Sequence, residues 1–362
     1  MHHCGHQSEN LAARGDPLAC GLVAGTIADM ATDWKLNAPN SWTREHVLTD
    51  VHTCAPNLAA AAGTSTAAFL AAFDAATLQT SRSGFVWKVP VGDGAAVALK
   101  AHSPIRSAEQ IRATLAAASY YAIGGACLAP LATPPIEGDS TCFSLWPWVD
   151  RDLDAAGEDG FTAVAHASAA WHRQDPVSGP FPVWDPIDYL AGRTAELRQA
   201  GHGELADEIA AGWDLVEEAY RRPRRLGQTV VHGDAHPGNL VGSAQQPRLI
   251  DVDRVKYAPA VSDLLRLAGW TAALDRPAAW WDNAVAVWAA GVGADVDDVE
   301  ADVAALLPVL VATTTCSAAL IAQFEDGAED RTPRWLAAWR ATQGSSTLLR
   351  PPEVGEAAGR TG

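Results

Sequence analysis

Val230-Val231-His232-Gly233-Asp234-Ala235-His236-Pro237-Gly238-Asn239-Leu240, followed at Leu249-Ile250-Asp251 by a second acidic site, decides how the rest of the chain is read. Thr229 to His232 and Arg248 to Asp251 are each short and β-prone, so each reads as a strand. Asp234 then stands just past a strand, where a rigid element presents it. Asn239 lies five residues on, beyond the bend made by Pro237 and Gly238. Asp251 closes the second strand. An acid that accepts a hydroxyl proton, plus an amide and a carboxylate that hold a hard cation against phosphate oxygens, is the minimum that phosphoryl transfer needs. The spacing makes Asp234 the expected catalytic residue and Asn239 and Asp251 the expected metal ligands. Asp253 is either a further ligand or an exposed charge, and is read as the latter. His232 is expected to fix the loop through a backbone carbonyl, and His236 to face solvent.

The 362 residues exceed one ordinary core, and 48 % of them are hydrophobic, so a two-lobed protein is expected. Net charge is −17, with a pI near 4.9. No basic tract exists to displace counterions from phosphates, which argues against nucleic acid. A negative field suits a cationic small molecule, although an acidic surface also serves solubility alone. The six cysteines form no CxxC pair and read as free thiols of a reducing compartment, the cytoplasm. His2-His3-Cys4-Gly5-His6 reads as a floppy tail rather than a metal site. No signal peptide is evident. The apolar run Val303 to Ala322 contains Pro308 and three consecutive threonines, which fits a buried helix better than a membrane span.

Residues 1–65 read as an extension with one short helix near Arg44 to Cys54. Ala67 to Ala76 has helical spacing. Phe85 to Val89 and Ala95 to Ala101 form a hairpin about Gly92-Asp93-Gly94, residues that tolerate positive φ. Ser107 to Ala122 is a helix with Ser107 as cap. Cys142 to Val149 is a strand ending at Pro147, with a lobe boundary near 150. Beyond Gly160 the pattern is mainly helical, and Glu204 to Tyr220 reads as one amphipathic helix. Residues 346–362 read as a tail.

His232-Gly233-Asp234-Ala235-His236-Pro237-Gly238-Asn239 with Leu249-Ile250-Asp251, and then Val261-Ser262-Asp263-Leu264-Leu265, resembles the signature of the aminoglycoside phosphotransferase and choline kinase-like family. The likeness runs from about 66 to 345. It implies an α+β, protein-kinase-like bilobal fold: a small antiparallel N-lobe sheet with one helix (66–150) and a mainly helical C-lobe (151–345). It implies ATP as donor, Mg2+ as cofactor, and Asp263 as the residue that holds the catalytic loop. Lys100, or else Lys88, would match the strand lysine that grips the nucleotide phosphates. Only four lysines exist in the chain, so filler is disfavoured. The helix glutamate that such a lysine pairs with would be Glu109, although the expected spacing falls closer to Thr114. Ser83 and Gly84 would cover the phosphates with their amides, and Trp146 to Val149 would be the inter-lobe linker beside adenine. Val252-Asp253 stands where a protein kinase has Phe-Gly, which disfavours a protein substrate.

The resemblance further implies a small hydroxylated acceptor such as an aminoglycoside. The alternatives are choline, an amino sugar or another metabolite, and a non-catalytic nucleotide-binding module. Neither a membrane nor nucleic acid is an expected partner. Asp185, Asp188, Asp275 and Glu325 are the candidate acids for a cationic acceptor. Asp295 to Asp302 reads as a solvated helix start. Trp280, Trp281, Trp335 and Trp339 read as core rather than as stacking platforms.

Overall fold

The computed structural model describes residues 42–80, 84–324 and 328–344. Cys4, Cys20, the N-terminal histidines, Ser83, Glu325 and the segment 346–362 lie outside the described residues. The fold is α+β, with an antiparallel sheet in the first part and helices dominating the second.

In the N-lobe, β1 (Thr77–Thr80), β2 (Gly84–Gly92), β3 (Ala95–His102), β4 (Ile136–Glu137) and β5 (Cys142–Pro147) form one sheet in the order β1-β2-β3-β5-β4, antiparallel throughout. The β2–β3 turn places Gly92, Asp93 and Gly94 at φ 107°, 48° and 75°, the region that bulky side chains avoid. Alternation puts Trp87, Val89, Val97 and Leu99 into the core. Among the described residues two helices precede the sheet, α1 (Arg44–Ala61), capped by the Thr43 side chain, and α2 (Thr66–Asp74), capped by Ser65. Val47, Val51, Cys54 and Leu58 of α1 share one core with Trp42, Phe69, Trp87, Leu99 and Phe143. Residues 42–65 are therefore part of the N-lobe core and not an extension. Its apolar stripe is diluted by alanines and polar residues, which hides it from periodicity. The helix α3 (Ala108–Ile123) opens on a capping box between Ser107 and Gln110.

The C-lobe carries α4 (Glu158–His172), α5 (Pro186–Gln199), α6 (Gly203–Ala211), α7 (Trp213–Arg221), α8 (Leu265–Ala273), α9 (Ala278–Val292), α10 (Val296–Phe324) and α11 (Thr332–Gly344). The single helix expected over 204–220 is two, broken at Gly212. A Cβ there would stand 2.3 Å from the Trp339 ring, so the close approach of α11 requires glycine and bends the chain. Although α10 is long and apolar enough to cross a membrane, 72 % of its most apolar window is buried. It is the central core helix, packed on α5, α7, α8 and α11. Trp281, Trp335 and Trp339 are core, as their spacing suggests.

Two small sheets position the functional loops. The strands β7 (Gln228–Val231) and β10 (Lys256–Pro259) pair antiparallel, with Lys256 opposite Val231. The strands β6 (Arg151–Asp152), β8 (Leu240–Ser243) and β9 (Arg248–Leu249) form the other sheet, in the order β6-β8-β9.

Candidate active site

The loop that leaves β7 is tied down before it reaches Asp234. Asp263, buried under the loop, accepts from the amides of His232 (3.0 Å) and Gly233 (2.8 Å), and pairs with His172 Nε2 at 3.1 Å. Burial opposes its charge, but the His172 bond and the Gly233 amide outweigh that and hold its pKa below the usual carboxylate range. His232 Nε2 meets the Ile250 carbonyl at 3.1 Å, joining the two motifs. Gly233 is at φ +81°, and a Cβ there would lie 2.2 Å from the Arg254 carbonyl oxygen, so the turn excludes every other residue. His236 is fully buried, contrary to the expectation that it faces solvent. Its Nδ1 accepts from Gly238, which shapes the 3₁₀ turn Pro237–Asn239. Arg151 completes the frame by donating to the carbonyls of Gly238 (2.6 Å) and Leu240 (2.9 Å).

Asp234 is 3 % exposed. Asn239 Nδ2 donates to its main-chain oxygen at 3.0 Å and to its Oδ2 at 3.4 Å. Arg266 Nη2, on α8, reaches Oδ1 at 3.3 Å. Burial pushes the Asp234 pKa up to about 6; Arg254 works against this and the nearby charge of Asp251 adds to it.

Asp251 has φ 60° and ψ 53°, a left-handed conformation that aspartate tolerates better than most residues and that recurs at functional sites. Its Oδ1 is 2.5 Å from Lys100 Nζ, and Asp253 Oδ2 is 2.7 Å from the same ammonium. Asp253 also faces His102 (3.8 Å) and Arg106 (3.7 Å), with a side chain only 5 % exposed. It is thus a buried ion-pair member and not an exposed charge. Burial opposes its ionisation, yet Arg106 and Lys100 hold its pKa far below normal. Burial likewise disfavours charge on Lys100, but Asp251 and Asp253 prevail and raise its pKa.

Lys100 therefore has two carboxylate partners, and neither is Glu109. Glu109 sits exposed in the first turn of α3 and lines a separate groove with Arg112 and Phe181. The pair expected between Lys100 and Glu109 is absent: Glu109 lies in the exposed first turn, while Thr114, five residues on, is the buried position. Lys88, the alternative lysine, pairs with Asp150 at 3.6 Å and lies over the Trp148 ring. Gly84 pairs with His102 at the mouth of β2.

Lys100, Asn239, Asp251 and Asp253 line one wall of a cavity of about 410 Å³ between the lobes, and Trp146, Trp148, Val149, Leu128 and Ile250 supply apolar walls. Such a space, apolar with a few convergent charges, suits a small-molecule ligand. Asp251 and the Asn239 amide oxygen are hard donors of the kind Mg2+ prefers, and the ion's remaining positions are ordinarily filled by phosphates and water. The donor set fits that cation.

Arg151, His172 and Arg266 escaped the sequence reading, and Asp253 was read as an exposed charge. Arg151 and His172 sit sixty or more residues before the loop, with no local pattern to mark them. Asp253 was visible as a second acid after Asp251, and its pairing with a strand lysine was not.

A search of curated proteins finds none that matches the chain. Solved structures share the fold. A choline/ethanolamine kinase family protein from Mesorhizobium loti is 14 % identical, with 77 % of this chain and 89 % of that one covered at a TM-score of 0.52. An amicoumacin kinase in complex with AMP-PNP, Ca2+ and Ami is 16 % identical, with coverages of 77 % and 90 % and a TM-score of 0.56. An ethanolamine kinase from Plasmodium vivax is 11 % identical, with coverages of 74 % and 81 % and a TM-score of 0.53. The phosphotransferase enzyme family profile matches residues 80–339, the span that holds the inter-lobe cavity and both acidic loops, and the chain belongs to that family.

Proposed function

We propose that this protein is an ATP-dependent O-phosphotransferase of a small hydroxylated molecule. One observation carries the reading: a buried carboxylate whose pKa is pushed up to about 6 stands 3.4 Å from an amide that lines the charged wall of the inter-lobe cavity. Asp234 takes the acceptor's hydroxyl proton as the hydroxyl oxygen bonds to the γ-phosphorus and the bond from that phosphorus to the β-bridging oxygen breaks, releasing ADP. A base poised near 6 is charged at neutral pH and still basic enough to share the proton in the transition state. Lys100 grips the α- and β-phosphates, exchanging its present carboxylate partners for phosphate oxygens. Asn239 and Asp251 would hold Mg2+, which when bound would supply positive charge beside the phosphate oxygens. Asp263 and His232 keep the loop in shape. Gly84 lies at the end of the strand pair that covers the phosphates; Ser83, beside it, lies outside the described residues.

A second reading, a nucleotide-binding module without turnover, is favoured by one observation alone, the absent pair between Lys100 and Glu109. Incubation with ATP, Mg2+ and a panel of aminoglycosides, amino sugars, amino alcohols and hydroxy acids separates the two. ADP release that depends on acceptor and is lost in Asp234→Ala is the expected result. ATP binding without ADP release from any acceptor would establish the module.

A further inference from the structure

Asp234 has an unequal surround. Toward the cavity stand Lys100, Asn239 and Asp251. Away from it three cations converge: Arg266 at 3.3 Å from the Asp234 carboxylate, and Arg254 and Lys256, both close enough to act on its charge. None of these three lines the nucleotide cavity. They stand beside Asp234 and off the wall that this cavity presents.

Lys256 is the most telling. It begins β10 directly opposite Val231, three residues before Asp234. Its stem packs on Gly233, where an added Cβ would lie 2.9 Å from Cε, and its ammonium lies 5.8 Å from the centroid of the Trp184 ring. It is half-buried. No carboxylate among the described residues comes within ion-pair distance of it. A lysine drawn into a fold without a partner loses hydration and gains little in return, unless an anion completes it. Burial and then Arg254 lower its pKa to about 8, so it still carries charge at neutral pH.

Of the acids expected to welcome a cationic acceptor, the three described ones are exposed, and none is among the charges that act most on Lys256. Asp185 is exposed and caps α5, accepting from the amides of Ile187 and Asp188. Asp188 and Asp275 are exposed. The carboxylates that act on Lys256 are Asp234 itself and Asp263, which the loop amides already hold. An ammonium-bearing acceptor would meet like charge at close range, which costs affinity.

We propose that the acceptor bears an anionic group, a carboxylate or a phosphate, beside its hydroxyl, and that Lys256 and Arg266 grip that group and turn the hydroxyl toward Asp234. The proposal rests on reading Asp234 as the base of a phosphotransferase. It reverses the cationic acceptor suggested by the net charge of −17, because local charge at a site governs recognition there and the protein-wide sum does not.

The test uses the full chain with ATP and Mg2+, and four probes: D-glycerate, glycerol 3-phosphate, choline and kanamycin. ADP release reads turnover, and Trp184 fluorescence, beside Lys256, reads binding without turnover. D-glycerate or glycerol 3-phosphate should bind and be phosphorylated, and the better of the two names the anionic group. Lys256→Met, which keeps the stem over Trp184 and Gly233, should raise the acceptor KM roughly tenfold or more, as the loss of a charge-assisted hydrogen bond predicts. Its KM for ATP should stay within about threefold of wild type, while kcat falls as the hydroxyl loses its alignment on Asp234. Turnover of choline or kanamycin with both anions inert would overturn the proposal and leave the phosphotransferase reading intact. So would a Lys256→Met variant altered in KM for ATP and unaltered in KM for acceptor, since that would assign the ammonium to the transferred phosphate. Anion binding that Lys256→Met abolishes, with no ADP release from any probe, would uphold the anion site and tell against the transfer reading instead.

Discussion

The two turns that meet at the cleft are held by different means. The loop 232–239 is fixed by bonds to its backbone: Asp263 takes two of its amides, the His236 ring takes a third, and Arg151 takes the carbonyls of Gly238 and Leu240. The loop from Asp251 to Asp253 is fixed by side-chain charge, through Lys100, Arg106 and His102. Backbone ties of the first kind compete with no ligand, so Asp234 is in place before substrate arrives, which is where electrostatic preorganisation gains most. Ion pairs of the second kind use the groups that phosphates and a cation would need. On the proposed function, nucleotide binding there would be an exchange of partners, in which Lys100 passes from carboxylate to phosphate and Asp251 from ammonium to metal. The loop of Asp234 is tied through its backbone, and the loop of Asp251 through charges that a ligand can replace.

The largest expected effect comes from the base itself. Asp234→Asn should lower kcat by roughly 10²–10⁴-fold, the usual contribution of a positioned proton acceptor. In wild type, kcat/KM should fall as pH drops through about 6, because only the ionised carboxylate accepts a proton. The stability sign is opposite. A pKa raised above the ordinary 3.8 means that Asp234 favours the fold most below that value, and that this contribution is lost as pH rises through about 6. Removing its charge at pH 8 relieves that burial but weakens the contact with Arg266. The two offset, so thermal melting of Asp234→Asn should stay within a few degrees of wild type while activity disappears. Asp263→Ala should lower stability and activity together. It leaves the amides of His232 and Gly233 and the His172 ring without their acceptor, at a cost of roughly 3 kcal/mol on denaturant unfolding, and it loosens Asp234 as well. A variant that keeps both would show that the loop does not depend on Asp263 for its shape.

Both loops were legible in the sequence as far as chemistry is local. Asp234, Asn239 and Asp251 declare themselves by spacing, and Pro237-Gly238 by the bend between them. The β2–β3 hairpin and α3 follow from alternation, turn residues and the Ser107 cap. What was hidden depends on residues far apart in the chain. Glu204 to Tyr220 has a sound helical stripe, yet Trp339, more than a hundred residues on, breaks it at Gly212. The stripe of α1 is thin in large apolar residues and becomes core only because the sheet supplies Trp87 and Leu99 opposite it. His236 looks polar and loop-borne, and burial against the Trp270 ring decides otherwise. Asp253 looked exposed because its cations, Lys100, His102 and Arg106, lie about 150 residues away.

Smaller effects sharpen the exchangeable side. In Asp253→Asn, Lys100 keeps Asp251 but loses its other carboxylate, while Arg106 and His102 face a neutral amide. The KM for ATP should rise roughly tenfold with kcat less affected, and stability at pH 7 should fall by about 1–3 kcal/mol, since a buried pair loses one partner. Glu109→Gln should change least. Glu109 is exposed and distant from the Lys100 ion pairs, so KM for ATP and kcat should stay within about twofold of wild type, the range of surface substitutions remote from any network. A tenfold rise in KM for ATP would carry its own lesson. It would mean that Lys100, once released from Asp251 by the metal, swings to the helix glutamate, and that the exchange of partners reaches one residue further than the unliganded cleft displays.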